Sequence, residues 1–148
     1  MKKRIFLASL LAMACAACGH TTRSQEFYEA LLSEDPVRME AQLAEGADVN
    51  DSWLDGWRPL HFSIAQKKVG AAKWLLAHGA DANQTAGGGV SALAWAVRMK
   101  NDEMAELLLQ RGADPCLAKD GAESAVVTAQ SYGSPAMVAR LGRCPNER

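Results

Sequence analysis

The stretch from residue 79 to residue 114 reads GADANQTAGGGVSALAWAVRMKNDEMAELLLQRGAD. It begins and ends with the triplet Gly-Ala-Asp, and the same triplet stands 33 residues earlier, at 46–48. Two further sets of positions keep this period, one apolar and one small. They are Phe27, Leu60, Leu93 and Val126, and Ala30, Ser63, Ala96 and Ala129. A fixed period of this length indicates a protein built from structural repeats.

Each repeat contains two short helical patterns. Ser91 is placed to cap a first helix, because its hydroxyl can accept a hydrogen bond from a free backbone N–H. A second helix is predicted from about Asp102 to Arg111, and Gly112 ends it since glycine adopts a left-handed conformation easily. In the preceding repeat, Pro59 takes a first-turn position where no N–H is needed. One such pair cannot bury its apolar face alone, so stacked neighbours must stabilise one another.

The outer repeats carry polar residues where the inner ones are apolar or small. Arg38 and Gln42 occupy such positions in the first repeat, and Arg140 in the last. Since terminal repeats have one face without a neighbour, these residues predict that the outer repeats act as caps.

The repeats resemble the ankyrin family. The resemblance rests on Pro59-Leu60-His61, on the three Gly-Ala-Asp triplets, and on Asn50 and Asn83 two residues after the first two aspartates. It covers about Gln25 to Arg143 and implies an all-α solenoid of about four helix-turn-helix units with short finger loops. The implied repeat domain is 25–148, with units of about 25–50, 51–83, 84–116 and 117–144.

The chain departs from the family pattern in two respects. The family has Thr-Pro-Leu-His where the first helix of a unit begins, and Arg58-Pro59-Leu60-His61 is the nearest match, whereas later units keep only a capping serine. The fourth unit is the least regular, because Ala122 stands where its predecessors have Gly56 and Gly89. The resemblance also implies that His61 bonds to neighbouring backbone.

Composition and motifs exclude several function classes. The chain has 148 residues, and 16 Lys and Arg balance 17 Asp and Glu, a net charge of −1 that disfavours nucleic-acid binding. No paired C-x-x-C, G-x-S-x-G elbow or phosphate loop is present, and 87–89, although all glycine, lacks the Lys-Ser or Lys-Thr that would follow in a phosphate loop. We therefore expect no metal, no cofactor and no enzymatic activity.

The first residues have the pattern of an export signal. Three basic residues, 2–4, precede an apolar run over 5–19 that is too short to span a membrane. The pattern resembles a bacterial lipoprotein signal of residues 1–17, cleaved before a lipid-carrying Cys18, with Cys15 as the alternative anchor and an unlipidated secretory signal as a further one. Residues 18–24 would be a tether, and Gly19 after the anchor implies the periplasmic side of the outer membrane.

Two cysteines remain near the end of the chain. In an oxidising compartment, Cys116 and Cys144 can form a disulfide that closes the fourth unit. The alternative is two unpaired thiols too far apart to join.

Tryptophans give the clearest functional indication. Trp74 is predicted in the core and Trp95 partly buried, whereas Trp53 and Trp57 lie in a link between units. The resemblance implies an exposed groove between the finger loops and the first helices. Its partner-binding positions would be Leu54, Asp55, Trp57, Gln66, Val90, Arg98, Met99, Glu123 and Tyr132. The alternative for Trp57 is simple packing on the next finger.

The combined interpretation is a monomeric, non-enzymatic module that binds a protein partner at the bacterial envelope, touching the membrane only through its lipid. Two alternatives stay open. One is an immunity protein or chaperone for a toxic secreted effector, and the other is an enzyme or small-ligand carrier, which would need a pocket with convergent polar groups.

Overall fold

A computed structural model of the chain describes residues 19–53 and 56–144. Over these residues the chain forms eight helices, arranged as four helix pairs. The first pair is α1 (Gly19–Ser33) and α2 (Pro36–Ala44), the second α3 (Pro59–Ala65) and α4 (Val69–Ala77), the third α5 (Ala92–Arg98) and α6 (Asp102–Gln110), and the fourth α7 (Ala125–Tyr132) and α8 (Pro135–Leu141). The predicted all-α solenoid of four units is confirmed.

The helices begin where the capping residues predict. The hydroxyl of Ser91 accepts a hydrogen bond from Ala94 N at 3.2 Å, and the hydroxyl of Ser124 accepts one from Val127 N at 3.3 Å. Pro59 occupies the first turn of α3 as expected. The predicted second helix of the third unit is present as α6, and Gly112 follows it with a φ of 81°.

The core forms as neighbouring first helices pack on one another: α1 on α3, α3 on α5 and α5 on α7. The periodic apolar residues Leu60, Leu93 and Val126 are buried in one cluster, and Phe27 is buried in a second cluster at the first unit. Trp74 is half-buried rather than fully within the core, because its Nε1 reaches the exposed Glu40 at 3.3 Å while its ring packs on the first unit. Burial therefore runs along the stack, as in other repeat proteins.

Three links between the units form the first, second and third fingers, residues 51–57, 84–90 and 117–123. The fingers are joined by backbone hydrogen bonds: Gly87 N donates to Gly56 O at 3.1 Å, and Lys119 N donates to Gly89 O at 3.3 Å. A Cβ added at Gly89 would lie 2.0 Å from Lys119 O, and one added at Gly56 would lie 2.9 Å from the Cα of Gly87. Only glycine fits at these two positions.

Ala122 occupies the same position in the third finger, and no further finger stacks on it within the described chain. The left-handed residues are Gly88 and Gly89 in the second finger but Asp120 and Gly121 in the third, so this turn is shifted by one residue. The irregularity expected at Ala122 is therefore a change of turn at the end of the finger stack, and the helix pair that follows is intact.

The outer units expose most of their predicted capping residues. Arg38 and Arg140 are exposed, and Arg140 Nε donates to Glu106 Oε1 at 3.2 Å. Gln42 is half-buried instead, because its side chain folds along its own helix toward Glu45.

The first helix includes most of the segment predicted as a tether. Helix α1 spans Gly19–Ser33, so residues 19–24 are helical, while the domain boundaries themselves stay a prediction. No proline interrupts residues 19–33, and an established helix elongates more readily than a new one starts. The expected signal peptide, Cys15 and Cys18 lie outside the described residues. Within the described residues, every helix is too short or too polar to cross a membrane.

Candidate functional site

Four side chains from three units meet beside the fingers: Trp57, Trp95, Arg98 and Tyr132. We call them the aromatic groove cluster. Trp57 ends the first finger, Trp95 and Arg98 lie on α5, and Tyr132 ends α7. Trp95 and Arg98 share one face of α5 because they are three residues apart. The stacking of units thus brings together residues up to 75 positions apart in sequence.

The cluster is held by ring contacts. The rings of Trp57 and Trp95 meet edge to face, with centroids 5.6 Å apart and planes at 82°. The guanidinium carbon of Arg98 lies 5.8 Å from the ring centroid of Trp95 and 5.8 Å from that of Tyr132. Cations in such positions are attracted by the electron density of the ring faces. Arg98 is therefore held between two aromatic side chains.

The outer half of this cluster faces solvent. Arg98 is exposed and Tyr132 is 45% exposed, whereas Trp57 and Trp95 are half-buried. Trp57 was predicted to be exposed; it is half-buried because it packs on Trp95 of the next unit. The alternative of packing is thus partly correct, although the contact is with a helix as well as with a finger.

The other predicted groove residues differ in exposure. Gln66 and Glu123 are exposed, as predicted. Val90 and Met99 are half-buried: Val90 packs against the core cluster, and Met99 closes the C-terminal end of α5. Leu54 and Asp55 lie outside the described residues.

Trp95 was missed as a site residue, since its place between apolar neighbours indicated partial burial alone. The prediction of partial burial is correct. A signal was nevertheless present in the sequence: an aromatic residue three positions before an arginine on a first helix places both on one face. What the sequence lacks is the partner ring, Trp57, which comes from a different unit.

His61 holds the second finger in place. It is buried, and its Nε2 lies 3.2 Å from Val90 O. Because the carbonyl can only accept, Nε2 carries the proton in this bond. Burial lowers the pKa of His61 from 6.5 to about 4, so the ring is neutral at pH 7. The backbone bond that the family resemblance implied for His61 is confirmed.

Two cavities open near the fingers. The smaller, about 70 Å³, lies between Trp57 and Trp95, and Trp95 Nε1 is buried with no hydrogen-bond partner in the described structure. The larger, about 290 Å³, opens at the first unit. Its lining includes Tyr28 and Trp53, whose rings stack at 4.3 Å, and burial raises the pKa of Tyr28. Trp53 is thus half-buried against α1 and belongs to a separate aromatic group.

The two distal cysteines meet at the last unit. The sulfur atoms of Cys116 and Cys144 lie 2.11 Å apart, which is disulfide distance, with their Cα atoms 5.5 Å apart. Cys144 is buried at the edge of the core. The pair predicted from the sequence is therefore brought together by the fold.

The chemistry available at this surface is that of recognition. Among the described residues, no group of three or more His, Cys, Asp or Glu is placed to hold a metal ion. The aromatic groove cluster offers ring faces for packing and the N–H groups of Arg98 for hydrogen bonding.

The chain matches a model of a known protein family. The family model described as ankyrin repeats (three copies) matches residues 11–119, which is more than half of the chain. No curated protein matches the chain significantly.

Proposed function

The chain belongs to the ankyrin repeat family, and we propose that it is a non-enzymatic module that binds a protein partner along the aromatic groove cluster. Ankyrin repeats are in general protein-interaction modules. The observation that carries the proposal is the exposed Arg98 held between Trp95 and Tyr132, with each ring centroid 5.8 Å from the guanidinium carbon.

The composition of the cluster supports this role. Tryptophan, tyrosine and arginine are the residue types in which binding energy concentrates at protein interfaces. Stacked units form a stiff scaffold, and a surface that is ordered before binding loses less conformational freedom on association. The half-buried Trp57 and Trp95 give the cluster a fixed base for the exposed Arg98 and Tyr132.

The proposed location is the periplasmic side of a bacterial outer membrane, with lipid on Cys18, or on Cys15 if cleavage occurs three residues earlier. The basic start and short apolar run of residues 1–19 support it. A disulfide between Cys116 and Cys144 suits an oxidising compartment.

Labelling cells with palmitate tests the anchor: the wild-type chain is expected to take up label and Cys18→Ser to lose it. Equal labelling of Cys15→Ser and wild type would leave Cys18 as the anchor, and an unlabelled wild type would contradict lipidation.

The binding surface is tested by a double substitution, Arg98→Ala with Tyr132→Ala. Both side chains are exposed, so we expect the free energy of unfolding, measured in a thermal melt, to change by no more than about 0.5 kcal/mol, as for other surface substitutions. Capture of a protein partner from envelope extract is expected to fall by about tenfold or more, since interface hot spots contribute about 2 kcal/mol or more each.

The matched control is Arg111→Ala, which removes an exposed arginine after α6, outside the cluster. It should leave capture unchanged. A partner that is captured equally by the double variant and by wild type would contradict the proposed surface, and the absence of any partner would contradict the proposed function.

A further inference from the structure

The first helices of the inner and last units carry an unbalanced positive charge. Residues 59–68, 92–100 and 125–133, which comprise α3, α5, α7 and the turns after them, contain no aspartate or glutamate. They contain four cations: Lys68 lies 4.0 Å from Glu34, whereas for Arg98 and the exposed Lys67 and Lys100 the described residues offer no carboxylate within ion-pair distance. This helix row is therefore positive although the whole chain has a net charge of −1.

The second helices behave differently. Lys73 pairs with Glu103 at 3.1 Å, and Arg140 pairs with Glu106 at 3.2 Å. On that row these two exposed cations are thus balanced by acids of the neighbouring unit, whereas the exposed Arg38 and Arg111 form no ion pair within the described residues.

Arg98 is also oriented for recognition. Ring faces on two sides leave the planar N–H edge of its guanidinium as the part that can meet a ligand. Such an edge matches a carboxylate with two parallel hydrogen bonds. Trp95 Nε1, by contrast, is buried and is not accessible to a partner. Arg98 is therefore the donor at this surface that calls for an acceptor.

We propose that the partner is recognised through an acidic segment, an aspartate or glutamate of which binds Arg98 between Trp95 and Tyr132. This inference rests on the proposed function and specifies the chemistry of the partner. The exposed Lys67 and Lys100, in the turns after α3 and α5, add positive charge to the same helix row, so neighbouring acids of the segment gain as well. Asp120 and Glu123, exposed on the third finger, limit the positive surface at that edge.

A nucleic acid is a different class of anion and is not what the chain favours. Nucleic-acid binding needs many cations that neutralise successive phosphates, and the net charge of −1 opposes a long polyanion. Three unpaired cations and two aromatic rings fit a short acidic peptide better than they fit a nucleic acid.

The test uses the full chain and its intrinsic tryptophan fluorescence, since Trp57 and Trp95 lie in the cluster. The chain is titrated with hexaglutamate, hexaglutamine and a thymidine hexanucleotide at an ionic strength of about 0.15 M, where the Debye length is about 8 Å. Hexaglutamate is expected to bind about tenfold more tightly than the other two, because charge-assisted hydrogen bonds are the stronger kind. Equal affinity for hexaglutamate and hexaglutamine, or tighter binding of the oligonucleotide, would overturn the proposal.

Variants separate Arg98 from charge in general. Arg98→Gln is expected to lower hexaglutamate affinity about tenfold. Arg111→Gln, which removes the same charge outside the cluster, should change it by less than about twofold, because separated exposed charges are largely screened. An equal loss in both variants would mean non-specific attraction and would contradict the proposal.

The outcomes also separate this inference from the proposed function. If partner capture depends on Arg98 and Tyr132 while hexaglutamate shows no preference, the module binds at this surface and only the acidic nature of its partner is wrong. If no protein is captured and hexaglutamate still binds through Arg98, the anion site is real and the proposed function is wrong.

Discussion

The inner junctions between units differ from the last one in the bond that closes them. Asn50 and Asn83 each reach across to the next unit: their Nδ2 atoms donate to Gly79 O at 3.0 Å and Gly112 O at 3.1 Å. In return, their Oδ1 atoms accept from Asp81 N and Asp114 N. The residue 33 positions after Asn83 is Cys116, whose sulfur meets Cys144.

The backbone around these three residues is the same. Asn50, Asn83 and Cys116 each donate their backbone N–H to the aspartate two residues before, at 2.8 Å in all three cases. The turn is therefore conserved through the stack while the side chain that leaves it changes. At the first two junctions a pair of hydrogen bonds joins the units, and at the last junction a covalent bond takes that place.

The fingers divide at a different place. Gly56 and Gly89 are covered closely by the next finger, and Ala122 is not. The junction between the second and third units thus depends on the absence of a side chain at Gly56, on hydrogen bonds and on a neutral His61, whereas the last junction combines the close contact at Gly89 with a disulfide. The two should respond to different perturbations, which four experiments can examine.

The largest effect is expected at the contact between the second and third fingers. Gly89→Ala would place a Cβ 2.0 Å from Lys119 O and also force alanine to a φ of 77°. We expect a loss of about 4 kcal/mol in the free energy of unfolding, from overpacking and left-handed strain together. Urea denaturation measures it.

Gly88→Ala is the matched control, because Gly88 has a similar φ of 81° but nothing within 4 Å of its added Cβ. It should lose only about 1 kcal/mol, the conformational part. Equal losses in the two variants would show that the fingers do not press on one another.

At the last junction, the expected loss of stability depends on whether the disulfide is formed. Cys144→Ala opens a loop with a sequence separation of 28, and the chain-entropy model gives a loss of about 3–4 kcal/mol. A reducing agent should lower the melting temperature of wild type and leave that of the variant unchanged. A wild-type melt that is insensitive to reductant would mean that the pair contributes nothing.

The position of the tryptophans sharpens this experiment. All four lie between residues 53 and 95, so none is in the fourth unit. Because repeat proteins can unfold from one end, reduction should lower helical circular dichroism before tryptophan fluorescence changes. Coincident transitions would indicate that the disulfide stabilises the whole stack.

The fold was predictable from the sequence because its determinants are local and repeated. Ser91 and Ser124 cap their helices, Pro59 starts one, and Leu60 and Leu93 recur at a spacing that only stacked units can bury. These features act within one helix or between identical neighbours. The number of units and the beginnings of most helices follow from them.

The site was harder to predict because its contacts join positions of different units that share no sequence signal. Nothing near Trp57 indicates that it packs on Trp95, and this contact half-buries a residue expected to be exposed. Val90 was misjudged for a similar reason, since it packs against a core cluster to which several units contribute. The disulfide was predicted from the oxidising compartment and the number of cysteines. That Cys116 takes the same place in its turn as Asn83 was evident only from the three-dimensional structure.

Among the junctions, lowering the pH should weaken only the inner one where His61 lies, between the second and third units. The pKa of His61 is lowered to about 4 in the fold, so its neutral form contributes stability that is fully present above pH 6.5 and is lost as pH falls toward 4. The largest loss is about 3 kcal/mol, from the difference between the folded value and 6.5. His61→Gln cannot titrate, and its free energy of unfolding should fall less than that of wild type between pH 7 and pH 4. A parallel fall in both would assign acid sensitivity to other groups.

The smallest effect concerns the hydrogen bonds that the disulfide replaces. Asn83→Ala removes the bonds to Gly112 O and from Asp114 N, and since Asn83 is exposed, water can take up both freed groups. A loss of about 1–2 kcal/mol is expected in urea denaturation, at the net value of about 1 kcal/mol for each bond.

The control Gln110→Ala, an exposed substitution at a helix end, should change the free energy of unfolding little. Unlike the loss in Cys144→Ala, this one should be the same with and without reductant, because a junction closed by hydrogen bonds has no redox state. A loss in Asn83→Ala as large as that in Cys144→Ala would show instead that the turn itself, and not the bond leaving it, determines how firmly units are joined.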